Sequence, residues 1–304
     1  MCLFAALSKT SAVVTMKDPL FRFFPTRFTW AAIHPEPIGI VYFIGGAFFG
    51  SFPTLFYRFL LESLFYRGYT VVALPFRFSF RHWSVALSLL ENQDSIRREI
   101  EEEARKQGFE TALYTQTGAE SSGITEYWIG HSLGCKYIAL MELLTDFEIF
   151  GKYEAMCQCI GNPQAKQIGQ IIDHSPLASL SLYNQPSILL DPVISDLDNA
   201  VPIKSLQRFF SRLVKVMPSR AETFCLISNS NLFALTAIIA FNSRVASSSI
   251  SELKQTLAPR LLNFRTMAAT GAWTGRHLAA LGIGAGNRAL VEAVVDELEK
   301  ASGH

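Results

Sequence analysis

With 304 residues, 49% of them hydrophobic and only 17% charged, the chain has the material for a large buried core and is not a disordered segment. Its 27 Lys and Arg balance 26 Asp and Glu to a net charge of +1, so no global field recruits nucleic acid, and no Lys/Arg run does so locally. The strongly apolar stretches at 38–50 and 232–241 fall short of the roughly 18 to 20 residues of a spanning helix, so no integral membrane span is expected.

In chain order, residues 1–34 carry Lys9, Lys17, Arg22 and Arg27 against Asp18 alone, with Ser and Thr between them. This composition suits either a short lead-in or an organelle transit segment, and residues 35–304 are expected to form one domain. Ile38–Ile44 is a near-continuous apolar run, as in a strand buried on both faces, and it ends at Gly45-Gly46. A helix opened by Ser51 and Pro53 follows, with Leu55, Phe56, Phe59, Leu60 and Leu64 as its apolar stripe. Tyr69–Leu74 is the next strand, and a single long helix is expected from about His82 to Gln107. The charge run from Arg97 to Lys106 is expected to be a solvated face.

A polar loop at 109–125 delivers the chain to Tyr127-Trp128-Ile129 and then to Gly130-His131-Ser132-Leu133-Gly134. This is the pattern of a nucleophile elbow, in which the serine hydroxyl is presented at a sharp strand-to-helix turn. Ile138, Met141 and Leu144 provide the helical spacing behind it. Glu154–Ile160 is expected to be a strand. The proline-punctuated stretch at about 161–224 is expected to be a cap inserted over the sheet. Leu235–Phe241 and Phe264–Ala268 resume the sheet, and a terminal helix from Asn287 places Leu290, Val291, Val294 and Leu298 on one face. The alternation predicts an α/β fold: a doubly wound, mostly parallel sheet with an inserted cap region.

An elbow serine requires a base, a group that orients the base, and donors for the oxyanion. His277 is the expected base, because it follows the elbow and every candidate acid and lies in a loop after the last apparent strand. His131 is too close to the turn to serve Ser132 and is expected to pack beneath it. His82 suits a helix start or cleft, and His34, His174 and His304 carry no positional argument. The acid is expected after the seventh strand, where Asn242, Ser243 and Arg244 stand instead. Asp191, after Ser187–Leu190, is the alternative, with Asp196 and Asp198 behind it. The oxyanion donors are expected to be the backbone N–H of Leu133 and that of Gly46 or Ala47.

Cys2, Cys135, Cys157, Cys159 and Cys225 form an odd set without a C-x-x-C pair, which argues for a reducing compartment and against a disulfide frame or a zinc site. No metal and no cofactor is expected, since the glycine-rich segments lack a Walker lysine or a G-x-G-x-x-G opening.

The segments Pro35–Ile40, Phe43–Phe48, Tyr57-Arg58, Gly68-Tyr69, Gly130–Lys136 and Leu232–Ala237 together resemble the cyanobacterial and plastid family catalogued as domain of unknown function 1350. The resemblance runs from about residue 33 to residue 285. It implies an α/β-hydrolase fold, Ser132 as elbow serine, and His277 as the histidine of the family's Gly-x-His-Leu segment. Where members tend to have Asp after the seventh strand, this chain has Asn242 or Arg244, and Phe80-Arg81-His82 stands where they tend to have Phe-Asp-His.

The functional expectation is a plastid or cytoplasmic serine hydrolase acting on a small-molecule ester, thioester or lipid-like acyl substrate, with Phe48, Phe49, Phe76 and Phe80 as candidate pocket residues. The alternative is a hydrolase fold with weakened turnover that binds an anionic ligand or a protein partner through Arg77, Arg81 and Arg276. Oligomeric state is not legible.

Overall fold

The computed structural model describes residues 19–112, 114, 124–150, 153–174, 182–194, 216–267, 276–282 and 287–303. Strand β3, Gly39–Ile44, is buried along its whole length and lies at the centre of the sheet, as its uninterrupted apolar run requires. The other strands are β1 (Phe24–Pro25), β2 (Trp30–Ala32), β4 (Tyr69–Ala73), β5 (Glu126–His131), β6 (Ser187–Leu190), β7 (Thr236–Ala240) and β8 (Asn263–Thr266). They form one eight-stranded sheet in the order β1-β2-β4-β3-β5-β6-β7-β8. The β1–β2 and β2–β4 pairs are antiparallel, and every other pair is parallel.

The period-two geometry of a strand sends alternate side chains to opposite faces, and two apolar layers result. Ile40, Tyr42 and Ile44 of β3 join Trp128, Leu189 and Ile238 in one layer, while Val41 and Phe43 join Ile129, Ile188 and Ile239 in the other. The second layer is closed by α2 (Arg58–Phe65) and by the terminal helix α10 (Arg288–Ser302). In α10, Leu290, Val291, Val294 and Leu298 are all buried, and Asn287 caps the helix by accepting from Leu290 N–H. The first layer is closed chiefly by α3 (His82–Glu91), α4 (Gln93–Lys106) and α5 (Leu133–Phe150).

Several sequence expectations are corrected here. The helix expected from Pro53 onward is two pieces, α1 (Pro53–Phe56) and α2, because Tyr57 leaves helical geometry at φ −110° and buries its ring completely. Leu55, assigned to the apolar stripe, is exposed. The long helix from His82 divides at Asn92, whose side-chain amide donates to the Ser88 carbonyl at 2.7 Å. Its charge run is not wholly solvated, since Arg97 turns inward to pair with the buried carboxylate of Glu126.

Glu154–Ile160 is not a strand but part of helix α6 (Tyr153–Ile160). Its inward residues Met156 and Ile160 stand four apart, the spacing of a helix face. The range 161–224 assigned to one cap takes in β6, a core strand. Around β6 lie helices α7 (Asn162–His174) and α8 (Arg220–Asn229), which contribute Ile168 and Phe224 to the same apolar layer as α5. Helix α9 (Ser247–Leu257) adds Leu253 and Leu257. The cysteines are not all unpaired: α6 packs against α8, and Cys159 is disulfide-bonded to Cys225 with Cα atoms 5.5 Å apart. Cys135 and Cys157 are free thiols. No helix among the described residues is long and apolar enough to cross a membrane.

Candidate active site

The G-x-S-x-G spacing is dictated by crowding at the junction of β5 and α5. A Cβ on Gly134 would lie 2.2 Å from the Ile44 carbonyl oxygen, and one on Gly130 would lie 2.8 Å from Cys135 N. Only hydrogen fits at either place. Between them Ser132 takes a left-handed backbone, φ 56°, the strained conformation that lifts a hydroxyl off a strand end. Hydrogen bonds fix the turn: Ser132 N–H donates to the Leu190 carbonyl at 3.0 Å, and its own carbonyl accepts from Cys135 N–H and Val193 N–H, each at 3.2 Å. The neighbours His131 and Leu133 are buried, whereas Ser132 is partly exposed.

His277 precedes a short 3₁₀ turn, Leu278–Leu281, and comes within reach of the elbow across 145 residues of sequence. Its Nε2 lies 2.9 Å from Ser132 Oγ, and its Nδ1 lies 2.6 Å from Asp191 Oδ2. Asp191 is fully buried at the end of β6, with φ 45°. Its other oxygen accepts from Phe241 N–H at 2.9 Å, and Oδ2 also accepts from the Ser243 hydroxyl. Burial alone would raise the pKa of this carboxyl. The hydrogen bonds from His277, Ser243 and Phe241, with the His277 charge, outweigh it and hold the group below its usual value, so it is ionised at neutral pH. An ionised Asp191 accepts, so Nδ1 of His277 donates to it and Nε2 is left as acceptor for the Ser132 hydroxyl.

Asn242, at the position expected for the acid, is exposed, and the imidazole goes to Asp191 instead. Asp196 and Asp198 lie outside the described residues. Gly46, one of the two donors considered for the oxyanion, has its N–H committed to Tyr57 Oη at 2.7 Å. The neighbouring amide of Ala47 and that of Leu133 have no hydrogen-bond partner among the described residues. The glycine pair is required by close approach: a Cβ at Gly45 would lie 2.7 Å from the Tyr57 ring, and one at Gly46 would lie 3.1 Å from Ser132 Cβ.

His131, expected beneath the turn, has partners that the sequence does not reveal. It is buried, with Nδ1 2.9 Å from Tyr57 Oη and Nε2 2.9 Å from the His277 carbonyl oxygen. No spacing signal could have found this set, because its members stand 74 and 146 residues apart. His82 opens α3, buried against the Tyr137 ring. Burial and the Lys136 charge push it down to about 3, so it is neutral. His34 is half-buried and accepts from Glu36 N–H at Nδ1; nothing is described of the His174 side chain or of His304. Of the phenylalanines, Phe76 is core, packed edge-on to Tyr137, and Phe49 packs edge-on to Phe56. Phe48, beside Ala47, is 53% exposed and stacks on Phe78, which in turn meets Phe80 edge-on. Arg77 and Arg81 are exposed, while Arg276, next to His277, is partly buried.

A strained serine between a parallel strand and its helix, in a sheet of this order, with an imidazole and a carboxylate from later loops, defines the α/β-hydrolase fold. The chain belongs to the family described as "Protein of unknown function (DUF1350)", whose model matches residues 25–285. Among solved structures it is similar to a "putative carboxylesterase" of Lactobacillus plantarum WCFS1, with a TM-score of 0.51 and 13% identity over 92% of this chain and 98% of that one. It is also similar to esterase B of Lactobacillus rhamnosis HN001, with a TM-score of 0.52 and 14% identity over 88% and 78% of the two chains. No curated protein matches it.

Proposed function

We propose that this protein is a serine hydrolase acting on an ester, thioester or lipid-like acyl group. The unbroken chain from Asp191 through His277 to Ser132 carries this reading. In the proposed reaction His277 Nε2 takes the Ser132 proton as Oγ attacks the acyl carbon, and Asp191 stabilises the imidazolium that forms. The carbonyl oxygen becomes an oxyanion held by the amides of Leu133 and Ala47. The protonated imidazole then delivers its proton to the departing alcohol or thiol, and water repeats the sequence on the acyl-enzyme. The Phe48–Phe78 stack beside Ala47, exposed at Phe48, suits an apolar acyl chain.

The reading of a fold with weakened turnover rests on the absence of an acid at position 242 and on Arg77, Arg81 and Arg276; the contact of Asp191 with His277 supports turnover over the first of these grounds. Anionic groups remain compatible with turnover, since Arg244, Lys254 and Arg276 line a cavity of about 490 Å³ beside Asn242. The test is reaction with a fluorophosphonate probe. Wild-type protein should label at Ser132 and Ser132→Ala should not. A folded wild-type protein that stays unlabelled overturns the proposal.

A further inference from the structure

Two buried side chains that the proposed reaction does not use, Tyr57 and His131, lie in one line of hydrogen bonds. Gly46 N–H reaches Tyr57 Oη at 2.7 Å, Tyr57 Oη reaches His131 Nδ1 at 2.9 Å, and His131 Nε2 reaches the His277 carbonyl at 2.9 Å. The carbonyl can only accept, so Nε2 carries the imidazole proton and Nδ1 is the acceptor. Tyr57 therefore donates its hydroxyl proton to Nδ1 while its oxygen accepts from Gly46. Every proton in the line has one place.

The three segments tied in this way are the three that must be in register for acyl transfer: the loop of Gly46 and Ala47, the elbow, and the turn that carries His277. The line runs through the interior, where His131 is 1% exposed and Tyr57 0%. A buried donor or acceptor left without its partner keeps the full cost of its lost hydration, so the segments are not free to part. The rings reinforce the bonds, with His131 5.6 Å from Tyr57 and 5.0 Å from His277 between centroids.

We infer that Tyr57 and His131 are positioning residues that lock the oxyanion loop and the His277 turn to the elbow, with the Tyr57 hydroxyl and the His131 Nε2 proton as the two fasteners. This inference rests on the proposed hydrolase reading. Neither residue touches Ser132 Oγ or the place of a reacting acyl carbon in this scheme. Each acts through another: Tyr57 by holding Gly46 so that the next amide, that of Ala47, is the one left for the oxyanion, and His131 by holding the backbone of the base. Burial keeps the His131 imidazole neutral at the pH where such a reaction runs, and a cation there would leave Nδ1 facing Tyr57 with no acceptor to offer.

The variants separate the fasteners. Tyr57→Phe removes the hydroxyl and leaves the ring. His131→Gln keeps an N–H within reach of the His277 carbonyl but has no acceptor placed for Tyr57. His131→Leu loses both. Misplacement of catalytic groups by about an ångström costs on the order of 100-fold, so Tyr57→Phe should lower kcat by about 10- to 100-fold with KM within about 3-fold. His131→Leu should fall at least as far, and His131→Gln should recover part of that loss.

Activity is read with a p-nitrophenyl ester. Histidine ¹⁵N NMR, which needs no turnover, follows the imidazoles in the wild type and in Ser132→Ala. The His131 ring should be neutral, with its proton on Nε2, from pH 5 to 9, and Tyr57→Phe should shift its Nδ1 resonance. If kcat in folded Tyr57→Phe and His131→Leu stays within about 2-fold of wild type, or if KM alone moves, the positioning role is wrong. If the NMR finds the proton on Nδ1, the bonding scheme itself is wrong. Failure of the hydrolase reading is a separate result: a wild type that neither turns over ester nor labels at Ser132, whatever the NMR shows.

Discussion

Replacing Asp191 by Asn exchanges one carboxylate oxygen for an NH₂ group and tests which side chain orients His277. In the structure Asp191 Oδ1 accepts from Phe241 N–H, and Oδ2 accepts from His277 Nδ1 and the Ser243 hydroxyl. An Asn side chain would keep its oxygen on the Phe241 amide, because an N–H facing an N–H is repulsive, and so would present its NH₂ to His277. Nδ1 must then accept, and the imidazole proton moves to Nε2, where it faces Ser132 and blocks proton uptake from the hydroxyl. A tautomer change of this kind costs about 10⁴ in kcat in the best-studied serine protease, which at ~1.4 kcal/mol per decade is a loss of ~5.5 kcal/mol of transition-state stabilisation. The assay is kcat on a p-nitrophenyl ester for folded Asp191→Asn, with Asn242→Asp as the comparison. The expected result is a loss near four decades for the first and a change of less than tenfold for the second. Activity of Asp191→Asn within tenfold of wild type, or a gain of orders of magnitude in Asn242→Asp, would refute the assignment.

Other consequences concern the frame. Gly134→Ala would place a methyl against the backbone oxygens of Ile44 and Gly45, at 2.2 and 2.6 Å before relaxation, and should cost about 1–3 kcal/mol or more; urea denaturation reads the loss, and an unchanged midpoint would mean that the helix approaches β3 less closely. Glu142, buried on α5, is pushed up to about 8 by burial first and then by the Asp146 charge. The folded state therefore keeps a proton that the unfolded chain gives up above about pH 4.5, and this group's contribution to stability declines as pH rises from there through 8. Glu142→Gln should thus be more stable than wild type by about 3 kcal/mol at pH 7, from ~1.4 kcal/mol per unit over the interval between 4.5 and 7, with little difference at pH 4. An equal difference at both pH values would show that ionisation is not the cause.

The parts of the site that depend on local pattern were legible in the residues. The elbow announces itself because sterics impose glycine at fixed offsets from Ser132, and β3 because a strand buried on both faces has no room for a polar side chain. The acid was less so. A carboxylate at the end of β6 or of β7 looks alike in sequence, and only the register of three parallel strands shows which of them reaches His277. Glu154–Ile160 misled because its apolar residues fit two periods, and packing of Met156 and Ile160 decided for the helix. The Cys159–Cys225 pair, 66 residues apart, and the Tyr57–His131 line leave no spacing signature at all, since both are made by elements meeting in space.

Ser132 and Asp191 directly follow the neighbouring strands β5 and β6, Asn242 follows β7 after Phe241, and all three adopt left-handed backbones, with φ of 56°, 45° and 56°. Ser132 and Asp191 each still donate an amide proton to the next strand, to Leu190 and Ile239, so each is the final rung of its ladder before the chain departs. Ser132 and Asp191 stand opposite each other in the register, about one interstrand spacing or close to 5 Å apart, whereas Asn242 lies two residues beyond the β7 position that faces Asp191. Moving a carboxylate from position 191 to position 242 therefore takes a shift along the strand as well as across the sheet, and the imidazole of His277 would have to follow it.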